Sequence, residues 1–390
     1  MPTRTHAFRH TAVVLVSLLT VYIEIVFWLA QLAPDPAAHA VSPYRFYADI
    51  GMMVLQRTYQ PSTGQWKGAL WWQQANVLEV TIDYSLRTHT TSYIGNIATT
   101  FNANKGNSFL NTYYDDEGWW ALAWIKAYDL THTDDYLAMA KTIFNDMATG
   151  WDSTCDGGLW WSKNKTYKNA IANELFLEVA LRLHQRTPGD MVDGGGIAYN
   201  TSYIDWANRE WQWFKNSGML NSSNLINDGL NIHTCQNNGD TPWTYNQGVI
   251  LGALTDLYKI THDSSYLSQA EAIADANNVT NIDDQGILYE RGCEPTNSCD
   301  EDGLQFKGIF MKNLYYLYQS DYKQAYKDFI LKDADAIWSS DRDYSNHLGL
   351  HWNGPFDEPG ASSQSAAQDV LNAALALNGE QEPTAPASIA

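Results

Sequence analysis

Apolar residues recur along this chain with the 3.6-residue period of helices over 44–59, 71–88, 92–104, 115–131, 134–149, 168–186, 201–217, 242–260, 264–278, 304–320, 322–338 and 364–377. Between these twelve patterns lie segments such as DSTCDGGLWW and NIDDQGILYERGCEPTNSCD, whose Gly, Asn and Asp content reads as loop with room for a short strand. No strand–helix alternation of the parallel-sheet kind appears, and roughly 350 residues are too many for one ordinary bundle. Twelve helices make six hairpins, and repeated hairpins close into a ring about one axis. The pattern therefore predicts an all-α chain folded as an (α/α)6 toroid of six helical hairpins.

An internal repeat supports this. YDLTHTDDYL at 128–137 resembles YKITHDSSYL at 258–267, an offset of 130 residues. Both read as the end of one helix, a turn, and the start of the next, with Thr, Asp or Ser available as caps. Extending the offset backwards sets YYDDEGWWALAWIKAY at 113–128 against WTYNQGVILGALTDLY at 243–258, so Asp115, Asp116 and Glu117 fall opposite Tyr245, Asn246 and Gln247. A carboxylate pair needed only to start such a helix would not be replaced in the sister unit.

The ends and the composition narrow the setting. Basic residues in MPTRTHAFRH precede an apolar run from Thr11 to Ala30, and Ala38-His39-Ala40 supplies small residues before a cut. Residues 1–40 are therefore read as a signal peptide with a mature start near Val41, a retained signal anchor being the alternative. Residues 41–378 are read as the toroid and 379–390 as a short polar tail. A formal charge of -20 repels phosphate backbones and argues against nucleic acid as a partner. With 45% hydrophobic and 17% charged residues the chain has ample material for a core. The four cysteines suit an oxidising compartment: Cys293 and Cys299 enclose a short loop and are the expected local pair, and a Cys155–Cys235 bridge follows by elimination. Sequons at Asn164, Asn200, Asn221 and Asn278 agree with export. No zinc-site spacing occurs, and neither a metal nor a cofactor is expected.

The candidate chemistry lies in TYYDDEGWW at 112–120. Acids in a first helical turn are stabilised by free N–H groups and the helix dipole, but one acid suffices for that. Glycoside hydrolysis uses two carboxyl groups, one protonated and one ionised, and repulsion inside an aromatic pocket is a means of holding a proton on one of them. Adjacent residues suit the separation of about 5 to 5.5 Å found in retaining enzymes. Asp115 and Asp116 are the catalytic candidates. Other groups near predicted helix starts would gather at the same mouth: Trp119, Trp160, Trp161, Tyr245 and Phe306 to stack on sugar rings, and Lys168, Asn169, Asn246, Gln247 and Lys307 to bind hydroxyls.

Taken together, YYDDEGWWALAW, CDGGLWW, KNAIANELF, WTYNQGVILGAL and FKGIFMKNL, in this order over roughly 44–377, resemble glycoside hydrolase family 76, the endo-α-1,6-mannanase family of (α/α)6 toroids. The resemblance implies a retaining enzyme with Asp115 as nucleophile, Asp116 as general acid/base and α-1,6-mannan as substrate; with the signal segment the expectation is a secreted monomer. A branch of that family is thought to act as cell-wall transglycosylases and carries a hydrophobic anchor tail. The ending NGEQEPTAPASIA has no such tail and shifts the expectation towards a hydrolase. A soluble transglycosylase and a non-catalytic mannan-binding wall protein remain as alternatives, the latter having no need of a proton donor beside a nucleophile.

Overall fold

The computed structural model describes residues 42–192, 200–357 and 360–379; the expected signal segment and nearly all of the C-terminal tail lie outside them. Twelve α-helices are found among the described residues: α1 Pro43–Gln56, α2 Trp71–Thr88, α3 Ile94–Asn104, α4 Tyr114–Thr131, α5 Asp134–Ala148, α6 Ala170–Arg186, α7 Tyr203–Asn216, α8 Thr244–Thr261, α9 Ser265–Thr280, α10 Phe306–Asp321, α11 Gln324–Ser340 and α12 Ala361–Gly379. They belong to one compact unit that begins at Pro43.

The even-numbered helices form the inner ring. Each packs on the next, α2 on α4, α4 on α6, α6 on α8, α8 on α10, α10 on α12, and α12 returns to α2. That last contact closes the toroid. The odd-numbered helices form an outer layer, and the sixth pair joins the two ends of the helical series, α1 lying against α12. The periodicity follows the layers: α6 and α8 bury most of their residues on all sides, whereas α9 buries one stripe, Leu267, Ala270, Ile273, Ala274 and Asn277.

The repeat has a physical basis at the turns. His132 and His262 adopt the left-handed conformation (φ 54° and 58°) and close α4 and α8 by donating their N–H groups to the carbonyls of Tyr128 and Tyr258 at 2.7 and 2.8 Å. Tyr322 ends α10 in the same way, a third copy that the sequence comparison did not reveal. Thr133 and Ser264 precede α5 and α9 without a side-chain capping bond, so the expected hydroxyl caps are not formed there. The glycine shared by DDEGWW and YNQGVI is a packing device. A Cβ on Gly118 would lie 2.8 Å from Leu175 of α6, and one on Gly248 would lie 2.6 Å from the Phe310 backbone of α10.

A second repeated device binds the loops to the ring. The fourth residue of five inner helices reaches back to the preceding loop. Gln74, Asn173 and Gln247 each accept one backbone N–H and donate to the carbonyl of that same residue, namely Trp66, Leu159 and Ile226. Gln364 accepts the N–H of Leu348, and in α4 Glu117 accepts that of Asn111. Both expected disulfides are present, Cys155–Cys235 and Cys293–Cys299.

Candidate active site

Because the inner helices run parallel, their N-termini meet at one mouth. There Leu70, Trp71, Trp72, Tyr113, Asp115, Asp116, Trp119, Trp161, Tyr167, Asn169, Asp228, Tyr245, Asp302 and Phe306 line a cleft of about 460 Å³. The starts of α2, α4, α8 and α10 supply Trp71 and Trp72, the two aspartates, Tyr245 and Phe306; the connecting loops supply Trp161, Tyr167, Asp228 and Asp302. The rings brace one another: Tyr245 stacks on Phe306 with centroids 3.9 Å apart, Trp72 on Trp119 at 5.6 Å, and Tyr113 tilts against Trp161 at 4.9 Å. Flat faces fixed in this way suit the C–H faces of a pyranose.

Asp115 and Asp116 sit in the first turn of α4, whose N-cap is Tyr113, so neither serves as the capping residue. The Trp161 indole N–H donates to Asp115 Oδ2 at 2.9 Å. Asp116 accepts from the Asn111 side-chain amide, whose own oxygen is fixed by the N–H of Tyr113 at 2.8 Å. Burial, and then the charge of Asp116, push the Asp115 carboxyl well above the usual range; the Trp161 bond and helix-start N–H groups pull the other way. Asp116 is raised to about 6 by burial, opposed by the Asn111 bond and reinforced by Asp302. Burial of both carboxyls and the charge of Asp116 beside Asp115 thus favour the protonated form of the pair.

Asp228 and Asp302 complete the acidic lining. Tyr167 donates its hydroxyl to Asp228 at 2.6 Å, and the Trp72 indole donates to Asp302 at 2.7 Å. Burial raises both carboxyls. No lysine or arginine is among the described residues lining the cleft.

Of the residues singled out from sequence, the structure brings Asp115, Asp116, Trp119, Trp161, Asn169, Tyr245 and Phe306 together. Asn169 also caps α6, its side chain accepting the N–H of Ala172. Trp160, Lys168, Asn246, Gln247 and Lys307 do not line the cleft. The Lys168 ammonium is fully buried and donates to Asp152 and to the carbonyls of Thr154, Gly157 and Gly158, knitting the CDGGLWW loop together. Trp160 lies against it and donates to Asp152 at 2.7 Å. Lys307 is spent inside the protein on the Leu350 carbonyl and Glu294. Gln247 is a loop clamp, and Asn246 is buried behind Asp228. Sequence reasoning missed Trp71 and Trp72, the first two residues of α2, and Asp228 and Asp302, which lie in loops where acids are common.

A family model described as "Glycosyl hydrolase family 76" matches residues 48–387. Among curated proteins, the mannan endo-1,6-alpha-mannosidase DCW1 of Candida albicans is 31% identical over 217 residues, covering 51% of this chain and 46% of that one. A putative mannan endo-1,6-alpha-mannosidase of Schizosaccharomyces pombe is 27% identical over 350 residues, covering 82% and 76%. The matched region thus spans about half the length of the first relative and three quarters of the second. Among solved structures, the chain superposes on an inactive variant of the GH76A alpha-1,6-mannanase of Salegentibacter sp. HEL1_6, in which two adjacent aspartates are replaced by asparagine, in complex with alpha-1,6-mannotriose. The TM-score is 0.75 at 22% identity, over 86% of this chain and 99% of that one. Dfg5 from Chaetomium thermophilum, in complex with glucosamine, gives 0.74 at 21% identity over 87% and 91%. At such identities these likenesses concern the fold.

Proposed function

The chain belongs to glycosyl hydrolase family 76, and on that premise we propose that it is an endo-acting, retaining hydrolase of α-1,6-mannosidic linkages working outside the cell or at its wall. The observation that carries the reading is the adjacent Asp115–Asp116 pair at the mouth of the ring, set in a cleft lined by stacked aromatic side chains. The Trp161 N–H donates to Asp115 and favours its ionised form, against the burial and the Asp116 charge that raise it, so substrate binding must leave the proton on Asp116 for the first step. In the first step Asp116 gives its proton to the glycosidic oxygen, the C1–O bond breaks, and Asp115 attacks C1 from the opposite face to form a glycosyl ester. In the second step Asp116 takes a proton from water, which attacks C1 and releases Asp115. Two inversions leave the configuration retained. The stacked rings hold the sugar, and Asp228 and Asp302 accept bonds from its hydroxyls.

The similarity to DCW1 and S. pombe mannosidases and the mannotriose held by the Salegentibacter structure favour α-1,6-mannan as substrate. Incubation with linear α-1,6-mannan should yield short oligosaccharides of retained configuration, read by size and by NMR of the anomeric protons. Failure to shorten the polymer overturns the proposal. A sugar acceptor that competes with water for the same ester gives transfer, so longer products on adding α-1,6-mannobiose would reassign the enzyme as a transglycosylase.

A further inference from the structure

The five loop clamps differ in one respect. Four are amides, Gln74, Asn173, Gln247 and Gln364, and the fifth, beside the catalytic pair, is the acid Glu117. Glu117 is fully buried, and its Oε1 accepts both the Asn111 N–H at 3.1 Å and the Lys163 ammonium at 2.8 Å. Lys163 in turn reaches Asp146 of α5 at 2.8 Å and lies over the Tyr114 ring. Asn111 is therefore held at three points: its N–H by Glu117, its side-chain oxygen by the Tyr113 N–H, and its side-chain amide against Asp116 Oδ2. At each amide clamp the anchored loop residue is apolar, Trp66, Leu159, Ile226 or Leu348. Only at Glu117 does the clamped residue itself touch a carboxyl of the pair.

We propose that Glu117 is a positioning residue, which through its grip on the Asn111 main chain fixes the direction of the Asn111 amide and hence the orientation and hydrogen bonding of the Asp116 carboxyl. The inference rests on the reading of Asp116 as acid/base, but its primary test does not. The charged groups facing this line are Asp115 and Asp302 around Asp116, and Lys163 and Asp146 around Glu117. A bond donated to a carboxylate favours its ionised form. Releasing Asn111 should therefore raise the Asp116 titration.

The experiment follows the Asp116 side-chain carboxyl by carbon-13 NMR across pH in the full chain, without substrate. In Glu117→Ala its midpoint should move up by about one pH unit, since a bond to a charged group amounts to roughly 1.5 kcal/mol. Glu117→Gln keeps an acceptor for the Asn111 N–H, as Gln247 does for Ile226, and should restore the wild-type midpoint. Gln364→Ala, which breaks an equivalent clamp away from the pair, should lower the melting temperature and leave the midpoint in place. If Glu117→Ala behaves like Gln364→Ala, with stability lost and the Asp116 midpoint unmoved, Glu117 is only a clamp and the proposal fails. Asn111→Ala leaves the main-chain clamp intact and must reproduce the upward shift; an unmoved midpoint in that variant overturns the proposal even if Glu117→Ala does not fold. On α-1,6-mannan the same two alanine variants should lower kcat with KM nearly unchanged. A shift in the midpoint with wild-type inactivity on mannan would count against the substrate assignment and leave the positioning role standing.

Discussion

The units built on α4–α5 and α8–α9 share a turn, a ring glycine and a loop clamp, yet only one of them carries an adjacent pair of aspartates. Their likeness lies at the fourth and fifth helical residues, Glu117-Gly118 and Gln247-Gly248, and at the closing His132 and His262. Their difference lies one and two residues earlier, Asp115-Asp116 against Tyr245-Asn246. The loop clamp and the acid pair therefore occupy neighbouring steps of one helical turn. The scaffold steps point into the ring and the preceding loop, whereas Asp115, Asp116 and Tyr245 face the mouth.

The largest test of this division removes the step that differs. Asp115→Ala should lower turnover on every mannoside by about 10⁴-fold or more, because no glycosyl ester forms. Asp116→Ala should cut mannan cleavage by roughly 10² to 10⁴-fold but spare much of the first step on an aryl mannoside, whose leaving group departs unprotonated. Azide should then rescue Asp116→Ala with a product of retained configuration and give the inverted product with Asp115→Ala. Equal losses on both substrates with no response to azide would return the acids to the role of helix-start residues.

Removing scaffold should do the opposite. Lys168→Met strips Asp152 and three carbonyls of their shared donor and should cost about 3–5 kcal/mol by denaturant titration. Gln247→Ala leaves the N–H and carbonyl of Ile226 unpaired and should cost about 1–3 kcal/mol, with kcat on mannan nearly unchanged. A collapse of kcat at full stability would put Gln247 back among the sugar-binding residues.

The smallest effect separates Glu117 from Gln247 by titration alone, since only the acid can gain a charge as pH rises. Burial raises Glu117, Glu290, Asp333 and Asp341 each to about 8. Between the unfolded carboxyl range near 4 and the folded value near 8, the native state binds more protons than the unfolded chain, so stability falls as pH rises through that window. Thermal melts should give the highest midpoint near pH 4–5 and a steady decline towards pH 9. Glu117→Gln, which makes α4 resemble α8, should flatten that decline slightly; a profile that climbs with pH would contradict these buried neutral acids.

Much of this architecture was legible because helix periodicity is a local signal. Most of the predicted patterns lie within a few residues of the observed elements, and a ring follows once hairpins repeat. The aspartates stood out for the same reason, since an acid pair among aromatics conflicts with ordinary helix starts. What stayed hidden depends on direction. Lys168 and Lys307 are cations beside aromatic rings, which in sequence looks like a sugar site, but their ammonium groups turn inward to satisfy loop carbonyls. Gln247 lies near a helix start, where polar groups gather at the mouth, but its amide turns back to clamp the preceding loop as Glu117 does. Asp228 and Asp302 carry no periodic mark, and only the folding of their loops over the mouth brings them to the cleft.

The closure of the ring by α12 has a bearing on synthesis. Gln368 and Asn372 of this helix bond the carbonyls of Ala48 in α1 and Val80 in α2, partners 320 and 292 residues earlier in the chain. A ribosome releases α1 and α2 first and α12 last, so for most of translation the flank of α2 that α12 will cover has no neighbour, and α10 joins it in waiting only near the end. Contacts this distant in sequence carry a high loop-closure cost and form late. The nascent chain therefore remains an open arc of hairpins through most of its synthesis and becomes a ring only when its final described helix arrives.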